Sequence, residues 1–195
     1  MKYPELRVLR NKQYFTVEDI ADILGIKFSS AKVLSSRYTE RGLFVRLKKN
    51  LYVLSERWQQ NTSQDFFCIA SILQVPSYIS LMTGLCFYEI STQVQRDYFE
   101  AICPRRTQSF DIEGVIFNYY KIKKEYYFDF VRRGDYFIAT KEKAFVDAIY
   151  LNSLGRYNFD INSIDIEKLD FKRVNRILNK FPEKTKKIVR AICRI

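Results

Sequence analysis

The stretch TVEDIADILGIKFSSAKVLSSRYTERGLFVRLKKNLYVL, residues 16–54, decides the N-terminal fold. Thr16 precedes Val17-Glu18-Asp19 as a good N-cap, and the two carboxylates suit the positive end of a helix dipole. Ile20, Ile23 and Leu24 repeat at i, i+3, i+4, which predicts one buried stripe. Gly25 suits the left-handed residue that ends a helix. A brief link, Ile26-Lys27-Phe28, leads to Ser29-Ser30, a second N-cap signal. The next helix is predicted over residues 30–41, with Ala31, Leu34 and Tyr38 on one face. Lys32, Val33, Ser36, Arg37 and Glu40 lie opposite, and Gly42 stops it. Residues 43–48 and 51–54 are strand-like runs around a polar turn at Lys49-Asn50, which predicts a β-hairpin. Upstream, residues 4–13 read as a first helix with Leu6 and Leu9 inward. Helix, helix, helix, hairpin is the order of a winged helix-turn-helix.

That order assigns roles. The helix starting at Ser29 is expected to enter the major groove of double-stranded DNA, with the wing on the backbone. Ser29 and Ser30 would donate to a phosphate at the helix N-terminus, and Lys32, Ser36, Arg37 and Arg41 would project toward the groove. Arg46, Lys48 and Lys49 would meet the next phosphates. The alternative is a winged helix that docks a protein partner. Charge favours DNA: Lys+Arg 33 against Asp+Glu 22 gives a net +11 and a pI near 9.5. Residues 1–57 carry net +6, residues 58–167 net −3 and residues 168–195 net +8, so the positive charge gathers at both ends.

The same composition excludes much chemistry. With no histidine, the Ser/His and Cys/His nucleophile schemes and the His-containing zinc sites are absent. Cys68, Cys86, Cys103 and Cys193 are far apart, without a C-x-x-C pair, and read as small buried hydrophobes. No GxGxxG or GxxxxGK[ST] is present, so no dinucleotide or P-loop site is signalled. No metal, no cofactor and no enzymatic activity are expected. No apolar run approaches the roughly 18–20 residues that span a bilayer, and the start has no apolar leader segment. A cytoplasmic protein without a membrane partner is expected.

The remainder predicts an α+β domain, residues 58–195, after a winged-helix domain, residues 1–57. Helices are expected over residues 65–73, 80–89 and 141–151, the last capped by Thr140. Strands are expected over 98–103, 114–122, 126–130 and 136–139, forming a mixed or antiparallel sheet. Two tail helices, split near Pro182, carry Lys168, Lys172, Arg173 and Arg176, which read either as a solvated face or as auxiliary phosphate contacts. Tyr119-Tyr120, Tyr126-Tyr127, Phe128 and Phe130 fit either a packed aromatic sheet face or a base-stacking platform. In Lys141-Glu142-Lys143-Ala144-Phe145-Val146-Asp147, Lys143 and Asp147 form an i, i+4 pair. These residues read as structural, holding helix to sheet, with a nuclease-like carboxylate–lysine set as the alternative.

Tyr78-Ile79-Ser80, Leu85-Cys86-Phe87-Tyr88 and Ile138-Ala139-Thr140-Lys141-Glu142-Lys143-Ala144-Phe145-Val146-Asp147 together resemble the AbiEi-type antitoxin regulators. The helix motif of that family reads approximately T-P-E-K-A-[L/F]-x-D. The chain matches it at Thr140, Glu142, Lys143, Ala144 and Asp147, with Lys141 where proline is usual. Glu89-Ile90 stand where the family usually has His-Gly. The resemblance implies an N-terminal winged helix, a larger C-terminal domain and an antitoxin that represses its own operon in phage defence by abortive infection. It also implies a nucleotidyltransferase-like toxin as the antagonised partner, without requiring direct contact. The competing expectations are a nuclease-like enzyme targeted by a winged helix and a protein-interaction scaffold.

Overall fold

A computed structural model describes residues 3–93 and 95–194. Met1 and Lys2, at the expected leaderless start, and Ile195, at the end of the basic tail, lie outside the described residues. The fold is α+β and divides into two compact units: residues up to Leu73 with Ile112–Gly114, and Gln74–Asp111 with the chain from Val115 onward. The first unit therefore runs past the boundary expected after residue 57. Among the described residues, no helix is long and apolar enough to cross a membrane.

The first unit begins with α1 (Tyr3–Leu6), which tightens into a 3₁₀ turn over Arg7–Asn11 instead of one α-helix to residue 13. Then come α2 (Val17–Leu24) and α3 (Phe28–Glu40). Thr16 caps α2 through a reciprocal box: its Oγ1 accepts the Asp19 N–H at 3.2 Å, and Asp19 Oδ2 accepts the Thr16 N–H at 2.7 Å. Gly25 ends α2 in the left-handed conformation at φ 58°. The strands β1 (Phe44–Lys48) and β2 (Leu51–Leu54) pair antiparallel. Asn50, at φ 61°, takes the left-handed turn position that a short polar side chain tolerates. Leu6, Leu9, Ile20, Ala31, Tyr38, Phe44 and Leu54 form one core. Phe44 anchors it, with the rings of Phe15 and Tyr38 edge-on at 4.9 and 5.3 Å. Ile23, placed in the buried stripe by its spacing, is instead 36% exposed. The helices α4 (Ser55–Trp58) and α5 (Ser63–Leu73) complete the unit.

The second unit is built on a six-stranded mixed sheet. Its strands are β3 (Tyr78–Ile79), β4 (Tyr98–Cys103), β5 (Gln108–Ile112), β6 (Val115–Lys121), β7 (Phe130–Arg133) and β8 (Tyr136–Ala139). They lie in the order β5-β6-β4-β3-β8-β7. The central pairs β4–β6 and β3–β8 are parallel, and β3–β4 and β7–β8 antiparallel. Residues 124–126 form a 3₁₀ turn, and the strand expected over 126–130 starts only at Phe130. The helix α7 (Lys141–Ser153) packs against α6 (Leu81–Phe87), α8 (Phe171–Leu178) and α9 (Glu183–Cys193). It is buried nearly all round. A Cβ at Gly84 of α6 would stand 3.2 Å from the Ala144 Cβ of α7, so glycine sets this close approach. The tail helices are not a loose appendage: Val174, Ile177, Leu178, Phe181 and Val189 belong to the core of this unit.

Candidate nucleic-acid interface

The first unit presents one face of α3 and one edge of the hairpin to solvent. Ser29, Ser30, Lys32, Ser36, Arg37 and Arg41 lie on or beside the outward face of α3, and Arg46, Lys48 and Lys49 on the hairpin. The pattern follows from packing. Ala31 and Tyr38 turn inward onto the Phe44 core, so the positions between them on the opposite arc face outward. Ser36 Oγ donates to Glu40 Oε1 at 3.3 Å, within that face.

The N-terminus of α3 differs from the expectation. The N-cap residue is Lys27, with no side-chain hydrogen bond, so Ser29 and Ser30 lie inside the first turn and cap nothing. The cause is local: Ala31 N–H already donates to Lys27 O at 3.0 Å, two residues earlier than a Ser29 cap would allow. The serines keep their place at the helix start, where backbone N–H groups lack intrahelical acceptors.

The hairpin is tied down by Asn50, which sequence reasoning treated only as a turn residue. Its Oδ1 accepts the Val17 N–H at 3.0 Å and its Nδ2 donates to Glu18 Oε2 at 2.8 Å, fixing the turn to the start of α2. The Asn50 bond holds the Glu18 carboxyl below the usual carboxylate range. Lys48 Nζ reaches the Ile72 carbonyl and so is partly engaged within the unit.

Electrostatics separate this face from the rest of the unit. Glu56 is paired with Arg10 at 2.9 Å, Asp19 with Lys12 at 2.5 Å and Asp65 with Arg57 at 2.7 Å. These carboxylates are neutralised by cations away from α3. Lys27, Lys32, Arg37, Arg41, Arg46 and Lys49 have no ion-pair partner among the described residues. Lys27 was not singled out by sequence, because only the actual start of α3 brings it into the set.

In the second unit, two of the four tail cations expected as auxiliary phosphate contacts are engaged internally. Arg173 pairs with Asp129 at 2.9 Å and approaches Glu142 at 3.7 Å. Lys168 donates to the Glu89 carbonyl at 2.8 Å and lies 3.5 Å from Asp165. Lys172 and Arg176 are exposed. Much of the aromatic run packs inward: Tyr119 and Tyr126 are buried, Tyr126 stacks on Phe181 at 4.7 Å, and half-buried Phe130 stacks on Tyr78 at 4.7 Å, while Tyr120 is half-buried.

The Lys143–Asp147 pair is sealed, both side chains having no exposure. Asp147 also accepts from Tyr78 Oη at 2.9 Å and Ser80 Oγ at 3.0 Å, which joins α7 to β3 and the start of α6. Burial pushes the Asp147 carboxyl up and the Lys143 ammonium down, each opposed by the other's charge. A carboxylate with no path to solvent cannot reach a phosphodiester. Among the described residues, no group of three or more Cys, Asp or Glu side chains is arranged to hold a metal ion.

No family model matches the chain, and no curated protein matches it.

Proposed function

We propose that the protein is a DNA-binding transcriptional regulator whose first unit is a winged helix-turn-helix, with α3 as recognition helix and the β1–β2 hairpin as wing. The carrying observation is the row of cations on α3 and the hairpin, unpaired beside carboxylates that are paired elsewhere. Lys32 and Arg37 sit where a helix in the major groove addresses base edges, and Arg46 and Lys49 where a wing meets phosphates. The bound partner is the operator of the protein's own operon. The resemblance to AbiEi-type antitoxins adds the biological role: a cytoplasmic, non-enzymatic antitoxin that antagonises a nucleotidyltransferase-like toxin in phage defence. Arrangement of the second unit around a sealed Lys143–Asp147 cluster supports a structural role for the motif on which that resemblance rests.

The test is fluorescence anisotropy with the DNA upstream of the gene, across a salt series. Specific binding with a steep slope of log K against log salt is expected, since phosphate contacts release counterions. Binding that ignores salt, or no preference for that DNA over an unrelated duplex, overturns the regulator reading in favour of a protein-docking module. The antitoxin role is tested separately. Co-expression with the neighbouring toxin gene should restore growth, and failure to do so removes that role while leaving DNA binding standing.

A further inference from the structure

The second unit carries a cavity of about 320 Å³, lined among others by Glu100, Tyr120, Arg156, Tyr157, Asn158 and Phe159. The size falls within the roughly 300–1,000 Å³ typical of small-molecule sites. Glu100, on β4, is 1% exposed. Its carboxylate accepts from the Met82 N–H at 3.2 Å, Gln95 Nε2 at 3.3 Å and Tyr157 Oη at 2.9 Å, all on Oε2, and the Thr83 backbone N–H also stabilises its charged form. Oε1 takes none of those three bonds, although a carboxylate has about four acceptor sites in total. Burial pushes the Glu100 carboxyl up, against the pull of Tyr157, Gln95 and the neighbouring backbone N–H groups.

The remaining lining is of two kinds. Tyr120 and Tyr157 meet edge to face at 5.2 Å, and Tyr157 and Phe159 lie nearly parallel at 5.7 Å, so aromatic surface borders the cavity. Arg156 is exposed and has no ion-pair partner among the described residues. A ligand that answers all three features has an N–H donor edge for Glu100, a planar ring for the aromatic walls and an anion for Arg156. We propose that this cavity binds a nucleotide through an amino-bearing base, guanine, adenine or cytosine, with Glu100 Oε1 accepting the base N–H and Arg156 holding phosphate. Uracil is the poor fit, because its single N–H is flanked by carbonyls that would face the carboxylate. The base arrives either as a free nucleotide or as an unpaired base of a strand, and the chemistry at Glu100 is the same. This site stands apart from the DNA-binding reading of α3 and does not depend on it.

The experiment is calorimetric titration of the full chain with GMP, AMP, CMP and UMP, and with a short single-stranded oligodeoxynucleotide. Glu100→Gln is the informative variant. Its carbonyl oxygen can keep the three donors at the Oε2 position, while its amide presents N–H where Oε1 offered an acceptor. At least one of GMP, AMP and CMP is expected to bind at least tenfold tighter than UMP and to weaken at least tenfold in E100Q. A fall in affinity only with the oligonucleotide identifies an unpaired base as the source, and a fall with a monophosphate identifies a free nucleotide. Arg156→Ala, at an exposed side chain without an ion-pair partner among the described residues, should reduce monophosphate affinity to that of the nucleoside. This keeps the test intact if E100Q does not fold. No binding to any of these ligands, binding indifferent to both variants, or preferential binding of a free α-amino acid overturns the proposal.

Discussion

Two helical regions of this chain are rich in Lys and Arg, and they use their charge in opposite ways. On α3 and the hairpin, Lys32, Arg37, Arg41, Arg46 and Lys49 stand without ion-pair partners among the described residues. In the tail, Arg173 is held by Asp129 and Glu142, Lys168 by Glu89 and Asp165, and Lys180 lies 4.2 Å over the Phe128 ring. Lys184 donates to the Ser153 carbonyl. The tail has the larger net charge per residue, yet much of that charge secures α8 and α9 to the unit whose core they share. Charge counted along a chain is therefore not charge available to a ligand. What separates the regions is whether carboxylates and carbonyls of the same unit lie within reach.

Buried charge gives the largest expected effect. Lys143→Met leaves Asp147 charged and without its cation, and should cost about 3–5 kcal/mol of stability by chemical denaturation. Lys143→Met combined with Asp147→Asn should recover part of this, because the neutral amide still accepts from Tyr78 and Ser80. An exposed lysine would show no such rescue. Next comes the free charge: Lys32→Ala and Arg37→Ala should each weaken operator binding by roughly 1–3 kcal/mol where the side chain makes a bidentate base contact. Denaturation midpoints should stay unchanged. If operator affinity is unaltered in both, α3 is not the reader.

The tail variants sharpen the contrast. Arg173→Ala should lower stability by about 1–2 kcal/mol, by stripping a charged hydrogen bond from Asp129, and leave DNA affinity intact. Lys172→Ala with Arg176→Ala should do neither if the tail is purely structural, whereas a DNA effect would restore it as a second phosphate surface. Truncation near Phe159 is a poor substitute, since it removes Val174, Ile177 and Phe181 from the core. On the β1–β2 hairpin, Arg46→Ala with Lys49→Ala should flatten the salt slope by about 0.9 for each phosphate no longer neutralised. Lys48→Ala should do less, because Lys48 is already bonded to the Ile72 carbonyl.

Acid gives the smallest effect. Burial raises the Asp65 and Asp19 carboxyls, but Thr62 and Arg57 around the first, and Lys12 and Thr16 around the second, hold both below the usual range. A depressed folded value means that their stabilisation is complete at neutral pH and is lost as pH falls through that value. Glu100, raised by burial, has the opposite sign: its protonated form favours the fold, so acidification relieves a penalty. The first unit should therefore lose stability before the second on acidification, by about 1 kcal/mol per lost cap. Trp58, the single tryptophan, lies in the first unit and reports it by fluorescence, while circular dichroism reports both.

The sequence alone determined the elements whose signals are local. Thr16 and Gly25 bracket α2, Thr140 caps α7, and the turn at Lys49-Asn50 divides β1 from β2. In each case a short side chain or a left-handed residue satisfies the backbone within one turn, so a few neighbours suffice. The outward face of α3 was legible for the same reason, since the inward Ala31 and Tyr38 fix its arc. Tertiary structure decided what depends on partners distant in sequence. It drew α8 and α9 into a core that their lysines and arginines concealed. It also turned much of the aromatic run inward and brought Arg173 to Asp129, and Glu100 to Tyr157 across 57 positions of chain. Composition records how many charges and rings a segment has. Only packing settles which are desolvated, and desolvation determines whether a charge is a ligand's contact or the fold's own.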